Sequence, residues 1–350
     1  MATASVTIDA SVLAVPSSLD ASDEETYHYV DTILDWSRIL NEPWVAVYMS
    51  EEASGALLED GLYPLRDQLR DLFRRHGIVE YDVNTVSRVV DRLLQITPSF
   101  ECYFRVRDVL ADKVSTAPDI KRLGSGSQIR SDLARCLVLI AILRRHCRPP
   151  IRDHTLILRR ATGRIVNVRA LIHDLEHTRD DLETLRLPAR IEGDVLVCND
   201  FCGLLEGTDE AAMLADATDD LAIETAIRIA LYKSRITRSG NPDWIDLGGM
   251  RLGRAFCDDL RRCCRDAGSS FPATALRAIV ETIEKENLAA AHALRTGMGG
   301  GDPQLIRTGD LAKAWRRDVD REYHLHYWDC GGGVVELASI GVHNDFSIPE

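Results

Sequence analysis

At 350 residues, 45% hydrophobic and a net charge of −13, the chain can bury a substantial core without metal or disulfide staples, and its length suggests two domains or one large domain with an appendage. Its longest apolar run, Cys136 to Leu143, falls well short of the ~18 residues a bilayer span needs, and no cationic stretch precedes the first hydrophobic segment. No membrane partner and a cytoplasmic location are therefore expected, and nine scattered cysteines without zinc spacing read as buried thiols of a reducing compartment.

In chain order, Val6 to Val15 is an apolar run interrupted by Asp9 and closed by Pro16-Ser17-Ser18, which predicts a buried strand. Tyr27 to Leu40 follows a helical period behind an acidic start, and Asn41-Glu42-Pro43 stops it. Trp44 to Met49 reads as a second strand, Ser50 as a helix cap and Glu51-Glu52 as the opening of the next helix. This β-α-β-α order implies a parallel pair joined by a crossover. Helical patterns run through Leu62 to His76 and Thr85 to Gln95, and Gly124-Ser125-Gly126-Ser127 makes a joint. Ile129 to Cys147 is apolar nearly all round, predicting an interior helix that Pro149-Pro150 ends.

His154 to Arg160 and Arg164 to Val168 alternate like paired strands around Thr162-Gly163, and Ala189 to Cys198 supplies another strand. Asp219 to Lys233 and Leu252 to Cys264 are amphipathic helices, and Pro272 opens a long one reaching about Arg295. Gly297 to Gly301 reads as a linker. The end of the chain carries Trp315-Arg316-Arg317, Tyr323 to Trp328 and Val342-His343-Asn344-Asp345 on an antiparallel hairpin. Its rings, imidazoles and guanidinium groups can stack on bases, grip phosphates or move protons. The whole predicts a mixed α/β protein: an α/β domain over residues 1–205, a helical middle over 206–270 and a small α+β unit over 271–350.

Charge is segregated. Between Glu101 and Ala170 there are fifteen Lys/Arg against six Asp/Glu. Arg144, Arg145, Arg148, Arg152, Arg159 and Arg160 are the densest part, and arginine suits phosphate forks. The same residues could instead pair with the acidic remainder of the chain.

Asp9 inside an apolar strand demands partners or a cation, because a lone buried carboxylate costs several kcal/mol. Thr7-Ile8-Asp9-Ala10-Ser11-Val12-Leu13, then a helix, then Val45 to Glu52, resemble the opening of a PIN-type nuclease domain. That resemblance implies a metal-dependent phosphodiester hydrolase using Mg²⁺ or Mn²⁺, with Asp9 as first ligand and Glu51 or Glu52 as second. The third acid then falls on Asp132, in Ser131-Asp132-Leu133-Ala134, and a last acid on Asp200 after a late strand. Arg144, Arg145, Arg148 and Arg152 would hold RNA.

From Leu311 onward the strand-turn-strand order, with Arg316-Arg317, His326 and His343, is similar to the end of a RelE-like toxin domain. Such a domain cuts RNA without metal, which implies phosphate stabilisation by Arg316 or Arg317 and proton exchange by His326 or His343. Here residues 301 to 350 carry five Lys/Arg against nine Asp/Glu, where that family relies on a basic face. In the plainer alternative Leu325 and its neighbours pack on the preceding helix, with the histidines solvated or hydrogen-bonded. Both resemblances imply RNA cleavage, and a role in bacterial toxin or phage-defence systems. The rival expectation is a non-catalytic interaction subunit whose aromatic C-terminal region contacts another protein.

Overall fold

The first strand is shorter than its apolar run. A computed structural model of the chain describes residues 4–17, 19–148, 154–240, 242–244, 247–297, 301–343 and 347–349. In it β1 (Ala4–Ile8) stops where Asp9 takes an extended backbone and accepts a hydrogen bond from the Ser11 N–H at 2.9 Å. That bond caps the short helix α1 (Ala10–Leu13), so the strand expected through Val15 ends at Ile8 because an aspartate N-cap outcompetes strand continuation. Then come α2 (Asp23–Ile39), β2 (Val45–Met49), α3 (Ala53–Glu59), α4 (Arg66–Arg75), α5 (Val83–Ile96) and α6 (Phe100–Phe104). They are followed by β3 (Val106–Ala117), α7 (Ser127–His146), β4 (His154–Ile157), β5 (Ile165–His177), β6 (Ala189–Cys198) and α8 (Phe201–Gly207).

These elements make a six-stranded sheet in the order β2-β1-β4-β6-β5-β3. Its first four strands are parallel, and β5 and β3 return antiparallel. Ile8 sits opposite Met49 on one side and Ile157 on the other, so Asp9 and Ser50 leave the same edge of the sheet. β4 and β5, expected to pair with each other, are separated by β6, because β4 completes the parallel core while β5 turns back along β6. β3 was not expected. It carries mostly exposed polar residues and pairs only with β5, so it lacks the apolar alternation by which a strand shows itself.

Helix α7 explains its own composition. Ile129, Leu133 and every residue from Cys136 to Leu143 are buried, because β3, β5 and β6 pack on it together with α3. Each fully buried Leu or Ile there contributes about 1.5–3 kcal/mol of apolar burial.

Residues 208–350 form a second compact unit, which takes in the helical stretch expected as a separate middle segment. It comprises α9 (Glu210–Ala215), α10 (Asp220–Ser239), β7 (Met250–Leu252), α11 (Phe256–Asp266), α12 (Phe271–Ile283), β8 (Ala291–Ala293), β9 (Lys313–Asp318), β10 (Tyr323–Asp329) and β11 (Val335–Val342). α9 and α10 pack on α12, and α11 on β11, which ties the helices to the second sheet. That sheet runs β7-β11-β10-β9-β8, antiparallel except for the β7–β11 pair. The fold class is thus mixed α/β. The helix expected to reach Arg295 ends at Ile283, since Lys285 and Asn287 take positive φ angles of 55° and 44° and the chain turns back to form β8. Ile348 packs against the cluster around Trp328, whose indole N–H donates to the Pro349 carbonyl at 2.8 Å, so the C-terminal residues dock on the sheet. Among the described residues, no helix is long and apolar enough to cross a membrane.

Candidate active site

The carboxyl edge of parallel strands is where open α/β sheets bind ligands, and here that edge gathers acids from three distant segments. Asp9 follows β1. Ser50 follows β2, and a hydrogen bond from the Met49 N–H to the Pro98 carbonyl at 3.0 Å brings Glu101 of α6 alongside. Asp132 projects from the second turn of α7. Asp9, Glu101 and Asp132 are 2%, 1% and 5% exposed.

Ser50 orients this cluster. Its hydroxyl donates to Asp132 Oδ1 at 2.7 Å and accepts from Arg135 Nη2 at 2.8 Å and from the Glu52 N–H at 3.2 Å. Arg135 also reaches Asp132 Oδ1 at 2.9 Å and is paired with Glu101, whose other oxygen accepts the Glu51 N–H at 3.0 Å. Two carboxylate oxygens remain outside the network: Asp9 Oδ2 and Asp132 Oδ2 are both buried without a hydrogen-bond partner. Burial, followed by the nearby Asp132 charge, pushes the Asp9 carboxyl up to about 7 against the hydrogen bonds from Ser11. Burial and the charge of Asp132 likewise hold the Cys136 thiol protonated.

Asp132 opens onto a cavity of about 400 Å³ whose polar lining includes Glu52, Glu59, Asp108, Ser131 and Arg135. Four carboxylates face one guanidinium there, so the cavity favours cations. Of the two unsatisfied oxygens only that of Asp132 belongs to the cavity lining, and hard carboxylate oxygens are the donors that suit Mg²⁺ or Mn²⁺. Among the described residues, no three His, Cys, Asp or Glu side chains already stand in a metal-binding arrangement. A cation would therefore draw on Asp9, Asp132 and a repositioned Glu52.

The structure thus brings Asp9 and Asp132 together and puts Glu52 on the cavity wall. Glu51 is instead engaged by the Ser99 hydroxyl at 2.7 Å, and Asp200 caps α8 through the Gly203 N–H at 2.7 Å. Arg144, Arg145 and Arg148 lie at or just beyond the far end of α7. Asp132 and Arg145 are thirteen residues apart, which is about 20 Å of helix, so these arginines do not face the acids. Arg145 donates to the Glu192 carbonyl at 3.4 Å, and Arg148 is exposed. Arg152 lies outside the described residues, as do Asn344 and Asp345. Arg159 and Arg160 both pair with Glu25, at 3.3 and 2.9 Å.

In the second unit, Arg316 is the cross-strand neighbour of His326, which is the neighbour of Ser339. Both faces of β10 are buried, so the histidines are not solvated. His326 is 1% exposed, with Nδ1 3.3 Å from the Ser339 hydroxyl. His324 lies 2.9 Å from Asp318 and against His343, the two rings tilted with centres 4.4 Å apart. Arg317 is a buried clamp, ion-paired to Glu281 at 2.9 Å and donating to the Asn287 carbonyl at 3.2 Å. Of this set only Arg316 and His343 reach the surface.

Sequence reasoning missed Glu101 and Arg135. Arg135, three residues beyond Asp132 on the same helical face, is a signal that periodicity offers. Glu101, in the aromatic stretch from Phe100 to Phe104, gives none until the fold places it. No family model, curated protein or solved structure matches this chain.

Proposed function

We propose that the first unit is a divalent-cation-dependent phosphodiester hydrolase acting on RNA, the substrate class that the likeness to PIN-type nucleases implies; the toxin or phage-defence role rests on that likeness alone. The observation that carries the reading is that Asp9 and Asp132, each with an unpartnered buried oxygen, lie within electrostatic reach of one another, with Asp132 on the wall of an acid-lined cavity. Asp9 and Asp132 would hold Mg²⁺ or Mn²⁺, with Glu52 completing the set from the cavity wall. Such an ion, when bound, acidifies water and offsets charge developing on a phosphoryl group. Ser50 fixes the orientation of Asp132, and Arg135 keeps Asp132 and Glu101 from repelling one another.

Purified protein incubated with labelled RNA in Mg²⁺, Mn²⁺ or EDTA tests this. Cleavage is expected with either cation, to vanish in EDTA, and to fall on the order of a hundredfold or more in Asp9→Asn and Asp132→Asn with circular dichroism unchanged. Cleavage that persists in EDTA and disappears in His326→Ala or His343→Ala would move the activity to the second sheet.

One observation favours a second reading. Arg135, set between Glu101 and Asp132, already supplies a countercharge, as it would in an internal ion-pair network of a non-catalytic interaction subunit. In that case calorimetric titration with Mn²⁺ gives no heat, and neither aspartate variant alters anything but stability.

A further inference from the structure

We propose that a basic groove in the first unit seats the phosphate backbone of a single-stranded polynucleotide, a surface distinct from the acid cavity. The inference takes its choice of partner from the phosphodiester reading above. The groove encloses about 600 Å³ and is lined by Lys113, Arg145, Arg169, Arg190 and Glu192 over Leu171 and Ile191. It therefore draws cations from β3, β5, β6 and the C-terminal turn of α7 to one place, where they outnumber acids four to one.

Most of this charge is uncommitted. Arg169 pairs with Glu192 at 2.8 Å, with both side chains more than half exposed, and such a pair is worth at most about 1 kcal/mol. Among the described residues Lys113, Arg145 and Arg190 form no ion pair, and the neighbouring Asp112 is taken by His173 at 3.0 Å. Lys113 is held there by a bulge. Asp112 pairs with Leu171 and Ser115 with Arg169, so Lys113 and Val114 together oppose Ala170. The bulge sends Val114 to the acid cavity and Lys113 to the groove. Lys113 takes φ +53°, a left-handed conformation that costs a β-carbon-bearing residue on the order of 1 kcal/mol and that glycine would adopt freely.

The molecule's net charge of −13 opposes any polyanion, so the partner must gain more than exposed ion pairs. An acidic peptide would gain only weak exposed pairs against that field. A polynucleotide gains the entropy of condensed counterions released at every phosphate neutralised, and planar guanidinium groups match phosphate oxygens.

The test is fluorescence anisotropy of the full chain with a labelled 20-nucleotide single-stranded RNA in EDTA, where no cation-dependent cleavage occurs. Four contacts predict a log–log salt slope of about −3. Lys113→Glu combined with Arg190→Glu is expected to weaken binding at least tenfold and flatten that slope by about half. Single-stranded DNA is expected to bind comparably, since backbone contacts read no 2′-hydroxyl. Wild-type affinity and slope in a double variant with native circular dichroism would overturn the proposal, as would equally tight binding of polyglutamate. RNA binding that depends on the groove, without cleavage under any cation, sinks the hydrolase alone. Cation-dependent cleavage with unaltered binding by the double variant sinks the groove alone.

Discussion

Asp9 is subject to two opposed demands: its apolar setting favours the neutral acid, and a cation would require the carboxylate. Its ordinary value is 3.8 and the fold raises it to about 7. Between about pH 4 and 7 the unfolded chain has therefore released this proton while the native chain keeps it, so stability declines as pH rises through that window and levels off above it. The full shift corresponds to roughly 4 kcal/mol. Asp9→Asn keeps an acceptor for the Ser11 N–H and cannot ionise. In EDTA the variant should be more stable than wild type by a few kcal/mol at pH 8, with the advantage shrinking towards pH 4. Urea midpoints at the two pH values check this, and an advantage that does not change with pH would contradict it. That Asp9 needed a partner was legible from its apolar neighbours alone. The nearby Asp132 was legible as the third acid that the PIN-type resemblance implies, at the start of a helix. Arg135 was legible only as a neighbour of Asp132 on one helical face, and Glu101 was not legible, since its meeting with them depends on α6 being pinned beside β2 by backbone pairing.

α7 depends on a borrowed cap. The Asp60 carboxylate, from the end of α3, accepts the N–H groups of Ser127 at 3.0 Å and of Gln128 and Ile129 at 2.9 Å, three of the donors a helix start leaves open. Although burial raises it, these bonds hold the Asp60 carboxyl below its ordinary value. Gly126 takes φ +86°, and a β-carbon there would overlap the Asp60 carboxylate. Asp60→Ala should cost about 1–2 kcal/mol, and Gly126→Ala at least as much through backbone strain and loss of the same cap. Thermal melts monitored in the far ultraviolet read both, and an unchanged midpoint in Asp60→Ala would show the cap contributes nothing. At this scale the sequence was most informative where apolar residues were continuous: α7 declared its burial, and β6 was legible over its whole length. It was least informative in β3, where exposure hides the pattern, and around β4 and β5, where local alternation cannot tell adjacent strands from strands with a third between them.

For the whole chain, the sign of charge is distributed by place. The basic stretch from residue 101 to 170 contributes to both the acid cluster and the groove, because α7 carries Asp132 and Arg135 towards one end and Arg145 at the other. Charge counting located that stretch, but only the fold could show that two of its arginines are locked to Glu25, that one bridges buried acids and that Arg145 and Arg169 line the groove. If the acid cluster cuts what the groove holds, as proposed, the rigid rod between these two ends would also behave as a ruler. At about 3.4 Å per stacked nucleotide, its 20 Å correspond to roughly six nucleotides. Oligonucleotides of four should therefore be processed far less efficiently than those of eight or more, with a step near six in a length series; a flat series would mean that grip and scission are not measured out along this helix.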